Sequence, residues 1–429
     1  MSARFIGGVI LLYFSSTMSS AGGIGGGGVN VPIFLVAFGY DYSKATILSL
    51  CTVLGNYISQ TSINWNKRHP YVPARPLIYW DAVLVLLPAQ MGGSALGVII
   101  ATMFPETIML ILAIFILIYA GVKTGKKGLS LWRKESEAKN ENIYEDIIRK
   151  SSDCFDVADE EEDVAFLGQS GSSSHGSRAS HQFDRSLSNS LNPIHEAITR
   201  IDKVEQDEND VSGKQVKMVL PWTTIKVLAA VWFVYAIIFI CTQTAVDYCS
   251  AAYFILIAST YPIIIGTIYW SIRHIAAKQR VDFTSVVEGD LNFNKLSFFP
   301  PLAAFGIGII SSLLGIGGGE LMGPLLLAYH IMPQVSTATT SIMSLLNTAS
   351  NIVHYAILGK INYELAAIMF IVGLSGGATG RYSALKITER FGRYSILIFM
   401  LCCVLFVSMC LLIYRIVDGE KEYGVKSMC

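Results

Sequence analysis

One stretch occurs twice in this chain and limits what it can fold into. Residues 19–32 read SSAGGIGGGGVNVP, and residues 311–324 read SSLLGIGGGELMGP. In register, Ser19/Ser311, Ser20/Ser312, Gly23/Gly315, Ile24/Ile316, Gly25/Gly317, Gly26/Gly318, Gly27/Gly319 and Pro32/Pro324 coincide. Each copy follows an apolar run and precedes a shorter one, 31–38 and 325–331. A glycine in a helix interior costs about 1 kcal/mol against alanine, so a run of them breaks a helix. At membrane depth such a break survives only where protein or water satisfies the freed backbone groups. Glycine-interrupted apolar segments in corresponding places of two halves point to a transporter's binding site.

Composition places the chain in a bilayer. Apolar residues make up 52% and charged residues 15%, which is the balance of a multi-pass integral membrane protein. The formal net charge is zero, so nothing argues for nucleic acid as a partner. Of the 8 cysteines, Cys51, Cys241, Cys249, Cys402, Cys403 and Cys410 lie in or beside apolar runs, and no pair has zinc or thioredoxin spacing. They read as packing residues and unpaired thiols. No metal and no cofactor is expected.

A spanning helix takes about 20 mostly apolar residues. By that measure the spans are 5–18, 43–65, 77–104, 106–122, 222–244, 250–272, 300–314, 335–358, 363–385 and 394–416. The first has the look of a signal peptide, but its counterpart at 300–314 lies mid-chain, so it reads as a span. Lys123, Lys126, Lys127, Arg133 and Lys134 mark a membrane exit. Beyond them runs a polar segment with an acidic cluster, 159–163, and a Ser-rich stretch, 170–190. It has too little apolar surface to offset ordering entropy, so most of it is expected to be disordered, with short helices at 142–150 and 193–204. Ser180 and Ser186, close to Arg178 and Arg185, are candidate phosphosites; a plain solvated linker is the other reading.

The repetition extends beyond the glycines. Pro88-x-x-x-Gly92-Gly93 resembles Val372-x-x-x-Gly376-Gly377, so the duplicated unit covers about 120 residues, ordered as helix, glycine break, half-helix and three spans. The loops rich in Lys and Arg are 66–76, 123–134, 273–295 and 386–393. Basic loops face the cytoplasm. Placing all four inside makes the two units inverted relative to each other and puts both termini outside. Ten spans and two half-helices then make twelve crossings. The expected fold is an all-α polytopic membrane protein of two inverted repeats. Its parts are repeat 1 (1–126), a cytoplasmic loop (127–219), two linking spans with a basic loop (220–298), repeat 2 (299–417) and a polar tail (418–429).

A helix N-terminus presents unsatisfied N–H groups and about half a positive charge. Glycine there lets a ligand reach the backbone. Two such ends, near 28–31 and 320–323, would meet close to the bilayer midplane and suit a small oxyanion. The candidate substrate-binding residues are Ser19, Ser20, Gly25, Gly26, Gly27, Gly28, Ser311, Ser312, Gly317, Gly318 and Gly319, with the hydroxyls of Thr339 and Thr340. The bland alternative is that the glycines only allow close helix packing. A phosphate-cradling nucleotide loop is a poor alternative, since no Lys-Ser/Thr follows either copy and neither lies in a βα unit. Asn56, Ser59, Gln60, Ser344, Asn347, Asn351 and His354 are polar residues within spans, and cavity lining and interhelical bonding are open to each. Glu320, whose repeat mate is Gly28, is the carboxylate at the breaks. It reads either as a cap for its half-helix or as a proton-coupling group. In the second case it would leave the helix end free for an anion when protonated and occupy it when ionised.

These residues resemble the TauE/SafE family of anion transporters, also called TSUP, in its plant and protist branch. The motifs are 19–32 (SSAGGIGGGGVNVP), 314–324 (LGIGGGELMGP), 333–340 (PQVSTATT), 66–70 (NKRHP) and 391–399 (FGRYSILIF). The match covers both membrane halves and leaves out the acidic loop; at Glu320 the sequence departs from the small or aliphatic residue usual in the family. The resemblance implies movement of sulfite or organic sulfonates, coupled to an ion gradient. With the repeat, it leads to the expectation of a non-enzymatic transporter working by alternating access. The other class in view is a membrane adaptor or receptor acting on protein partners through 127–218. No HExxH, GxSxG or paired-Asp motif in the spans supports an enzyme.

Overall fold

The computed structural model describes residues 3–70, 72, 74–101, 104–105, 107–119, 121–126, 128–137, 218, 220–244, 250–281, 299–357, 361–391, 393 and 395–418. Secondary structure among them is helical, apart from an isolated bridge between Arg68 and Pro76. The chain divides into a membrane unit, Met1–Glu135 with Met218–Cys429, and a second unit, Ser136–Lys217. The acidic cluster, the two short helices and both phosphosites expected in the second unit lie outside the described residues.

The helices are α1 (Ala3–Ala21), α2 (Gly27–Val36), α3 (Tyr42–Trp65), α4 (Trp80–Ala101), α5 (Thr107–Glu137), α6 (Trp222–Thr244), α7 (Ala251–Val281), α8 (Phe299–Leu314), α9 (Gly319–Ala328), α10 (Pro333–Ile357), α11 (Tyr363–Phe391) and α12 (Ser395–Asp418). α2 and α9 are the half-helices; each has 10 residues with a proline in it, Pro32 and Pro324. α5, α7 and α11 run on past the apolar segments that mark them in the sequence. Hydropathy ends where lipid ends, whereas backbone hydrogen bonding continues into water.

Among the described residues six helices are long and apolar enough to cross a membrane: α4, α5, α6, α7, α11 and α12. α3 and α10 are long enough but carry too many Ser, Thr, Asn and Gln side chains. The reason is positional. Those polar side chains are buried, Asn56, Gln60, Asn64, Ser344 and Asn347 among them, so they meet protein rather than lipid. The opposite condition holds for α6, α7 and α12, which expose Phe233, Ile237, Ile255, Ile265 and Phe406.

Small residues allow the tightest crossings. A Cβ on Gly93 or Gly97 of α4 would strike the carbonyls of Phe305 and Ile309 on α8. A Cβ on Gly376 or Gly380 of α11 would meet the Tyr13 carbonyl and Thr17 backbone on α1. The paired Gly-Gly motifs thus lie where each long helix passes the first helix of the other half. α3 also lies along α11, with Gly55 against the Phe370 carbonyl and Gly373 against the Thr52 carbonyl. α3 and α10 pass in opposite directions. Gln60 meets Ser341, Tyr57 and Ser344 both border Gly319, and Ile47 and Leu50 pack with Tyr355.

Candidate functional site

Each break is built by glycines whose backbone goes where other residues rarely go. In the first, Gly23 and Gly26 take φ near 80°. In the second, Gly315, Gly317 and Gly318 have φ between 69° and 83°. The two turns are closed alike: Ile24 N donates to the Ser19 carbonyl and Ile316 N to the Ser311 carbonyl, both at 2.9 Å. α2 and α9 then start at Gly27 and Gly319, with no side chain capping either N-terminus from Gly26 or Gly318.

The carbonyls freed at the first break are taken up by α3. Asn56 Nδ2 donates to the carbonyls of Gly25, at 3.3 Å, and Ser16, at 3.1 Å. Gln60 Nε2 donates to the Ile24 carbonyl at 3.0 Å and to Asn56 Oδ1 at 2.7 Å, while its Oε1 accepts from Ser341 Oγ at 2.9 Å. At the second break Thr348 Oγ1 lies 3.5 Å from the Gly317 carbonyl. These side chains from α3 and α10 supply what lipid cannot.

The two breaks touch. A Cβ on Gly27 would collide with the Ile316 carbonyl. Tyr57, fully buried, accepts from Gly25 N at 2.9 Å, and its hydroxyl occupies the place a Gly319 side chain would take. Glu320, fully buried in the first turn of α9, accepts a hydrogen bond from Gly28 N of α2 at 2.7 Å. The Glu320 carboxylate therefore caps the opposite half-helix. Its second oxygen, Oε2, has no hydrogen-bond partner and lies where a Cβ on Gly28 would be.

Unsatisfied polar atoms gather around both breaks. Ser19 Oγ and Asn30 Nδ2 border Gly26, and neither atom has a hydrogen-bond partner. Gln90 Nε2 and Asn347 Nδ2 border Gly318, and neither is partnered, while Ser344 Oγ borders Gly319 beside the Tyr57 hydroxyl. A buried polar group left unmade costs about 1–3 kcal/mol, so such a cluster suits a polar ligand or water.

The other expected site residues are committed elsewhere. Ser20 Oγ donates to the Gly377 carbonyl at 2.7 Å, and Ser311 Oγ to the Gly308 carbonyl at 3.1 Å. Ser312 is hydrogen-bonded to Ser94 and accepts from Asn351 Nδ2, while Ser94 Oγ donates to Asn351 Oδ1. Thr339 Oγ1 accepts from Tyr79 N and holds the approach to α4. Thr340 lines a small cleft with Gly22, Gly23, Ile24, Ser336 and Thr337 beside the first break. His354 packs against Phe239 with ring centroids 4.0 Å apart and the ring planes tilted by 41°.

Sequence reasoning missed Tyr57, Asn30, Gln90 and Arg381. The last two carried a signal. Gln90 is a lone amide in an apolar run, and Arg381 is a charge inside a span, which is costly and functional as a rule. Tyr57 gave none, because a tyrosine in mid-helix reads as packing.

A helical, multi-pass membrane protein whose core holds two touching half-helix N-termini belongs among the membrane carriers with broken helices. Comparison with known proteins gives the family. The model named Sulfite exporter TauE/SafE matches residues 2–142 and 208–409, and the chain belongs to that family. It is 27% identical over 403 residues to Sulfite exporter TauE/SafE family protein 3 of Arabidopsis thaliana, covering 94% of this chain and 76% of the relative. It is 28% identical over 419 residues to family protein 1 of the same plant, covering 94% of this chain and 82% of the relative. No solved structure matches the chain.

Proposed function

We propose that the protein carries a small oxyanion, sulfite or an organosulfonate, across the membrane by alternating access around the two glycine breaks. The observation that carries this reading is the Glu320–Gly28 contact. One half-helix N-terminus already holds an oxyanion, the carboxylate of the other half-helix. A carboxylate stands in here for the sulfonate or sulfite oxygens that the same N–H groups would take.

The substrate would displace Glu320 and draw on Gly25–Gly28 and Gly317–Gly319, with Ser19, Asn30, Gln90, Ser344 and Asn347 as side-chain donors. Ser20, Ser311, Ser312, Thr339 and Thr340 would hold the walls. Residues 1–126 and 299–417 would be inverted repeats that rock against each other. The opposed directions of α3 and α10, equivalent helices of those repeats, support that arrangement. Protonation of Glu320 would release Gly28 N–H and admit the anion, coupling proton and substrate through one helix end. The family name, Sulfite exporter TauE/SafE, supports the substrate class.

The test is flux. Purified full-length chain in liposomes, loaded with a panel of sulfite, sulfate, ethanesulfonate and chloride, is expected to move the sulfur oxyanions above protein-free vesicles. Liposomes in which no anion moves faster than through lipid alone would overturn the reading.

A further inference from the structure

Arg381 lies outside the glycine site and has a chemical situation of its own. It is the largest fully buried side chain of the described residues. Its Nε donates to Asn64 Oδ1 at 2.9 Å, and its Nη2 has no hydrogen-bond partner. A guanidinium stays protonated at any working pH. A buried charge without a counter-charge is among the costliest things a protein can hold. Glu320, the other fully buried charged side chain among the described residues, is committed to Gly28.

Asn64 and a neighbour on the same face of α3 have donors to spare. Asn64 Nδ2 has no hydrogen-bond partner, because Asn64 turns its oxygen to the arginine and leaves its amide hydrogens unused. Thr61 Oγ1, one turn earlier on the same face of α3, is also buried and unpartnered. A guanidinium fork, an amide N–H and a hydroxyl on one helix pair are what a small oxyanion requires. No comparable group sits in the other half: α4 has Gly97 near the place that Arg381 takes in α11, pressed against Ile309.

The location fits a path. Gln60 on α3 reaches the Ile24 carbonyl of the first break, and Asn64 comes one turn later, about 6 Å along the helix at 1.5 Å per residue. That end of α3 leads to the loop 66–76, which carries Lys67, Arg68 and Arg75.

We propose that Arg381, Asn64 and Thr61 form a second anion site, about one turn of α3 beyond the first glycine break, which holds a small sulfur oxyanion as it enters or leaves the core. This site shares with the function proposed above only the class of ligand, and its binding stands whether or not the breaks carry transport.

The experiment is calorimetric titration of the full chain in detergent with sulfite, sulfate and ethanesulfonate. The wild type is set beside Arg381→Gln, Arg381→Lys, Asn64→Leu, Thr61→Val and Gly318→Leu. The Gly318→Leu protein is expected to keep a saturable anion site, and adding Arg381→Gln to it to weaken that site at least tenfold. Arg381→Lys, which keeps the charge but loses the fork, is expected to fall between. Asn64→Leu and Thr61→Val leave the charge in place and are expected to weaken binding several-fold each. Melting without anion separates a structural role, since Arg381→Gln removes an unpaired buried charge and is expected to melt no lower than wild type. Arg381→Gln, Asn64→Leu and Thr61→Val variants that all bind like the wild type would overturn the proposal, as would a wild type that binds none of the three anions. Glycine variants that transport normally would count against the break reading alone.

Discussion

Glu320 and Gly28 occupy equivalent positions of the two glycine motifs, and they are joined to each other: the carboxylate of the one accepts the backbone N–H of the other at 2.7 Å, across 292 residues of sequence. The two half-helix N-termini therefore meet at this contact. The contact is also lopsided, since Gly28 has no carboxylate to offer in return. One half-helix end is therefore capped by protein, and the other is bordered by the unpartnered amides of Gln90 and Asn347.

That asymmetry sets the first expectation. In the proposed cycle, falling pH would protonate Glu320, weaken its hold on Gly28 N–H and free that end for the anion. Anion flux in liposomes is expected to rise as pH falls in the wild type. Glu320→Gln is expected to transport with most of this dependence gone, because an amide cannot ionise. A wild-type flux that is flat with pH would leave Glu320 a cap and nothing more.

Leucine at Gly26 or Gly318 is expected to abolish flux while leaving expression mostly intact. Both glycines have φ near +80°, a region that costs other residues about 1–2 kcal/mol. Their missing side chains are the space bordered by Ser19 and Asn30, and by Gln90 and Asn347. Transport rates measured at matched protein density decide it, and normal flux in both variants returns the glycines to a packing role.

Tyr57→Phe keeps the ring and removes the acceptor for Gly25 N, which sits between the two breaks. Leaving that N–H buried and unmade is expected to cost about 1–3 kcal/mol and to lower the melting temperature in detergent. Flux is expected to fall with it, because the hydroxyl fixes the distance between the breaks. An unchanged melting curve would show that water replaces the hydroxyl.

Packing gives a cleaner contrast. Gly93→Ala puts a methyl group against the Phe305 carbonyl and is expected to destabilise by about 1–3 kcal/mol. Gly7→Ala on α1 meets nothing within 4 Å and is expected to be neutral or stabilising by up to about 1 kcal/mol. The pair is read by thermal melting of the purified protein. Equal shifts would mean that the α4–α8 crossing yields more easily than its carbonyl contacts imply.

Topology is tested by single cysteines. Gly39 lies between the first half-helix and α3, and Arg75 in the basic loop after α3. On intact cells Gly39→Cys is expected to label with an impermeant reagent, and Arg75→Cys only after the membrane is opened. Labelling of both from one side would end the inverted-repeat scheme.

Much of this protein is local and so is written in its sequence. Apolar runs of membrane length, the glycines that stop them and the Lys and Arg that flank them act within a few residues of each other. Helices therefore begin close to where hydropathy and glycine place them, although α5, α7 and α11 end beyond their apolar segments, and both breaks stand where SSAGGIGGGG and SSLLGIGGG stand. The polar faces of α3 and α10 were visible too, though not whether they faced lipid or protein. Tertiary structure alone decided the contacts that join distant segments: Glu320 on Gly28 rather than on its own helix, Tyr57 between the breaks, and Arg381 on Asn64, 317 residues away. Helical periodicity reports which residues share a face. It carries no information about which two faces meet, because that depends on how close glycine lets the helices come and on which buried polar atoms remain to be matched.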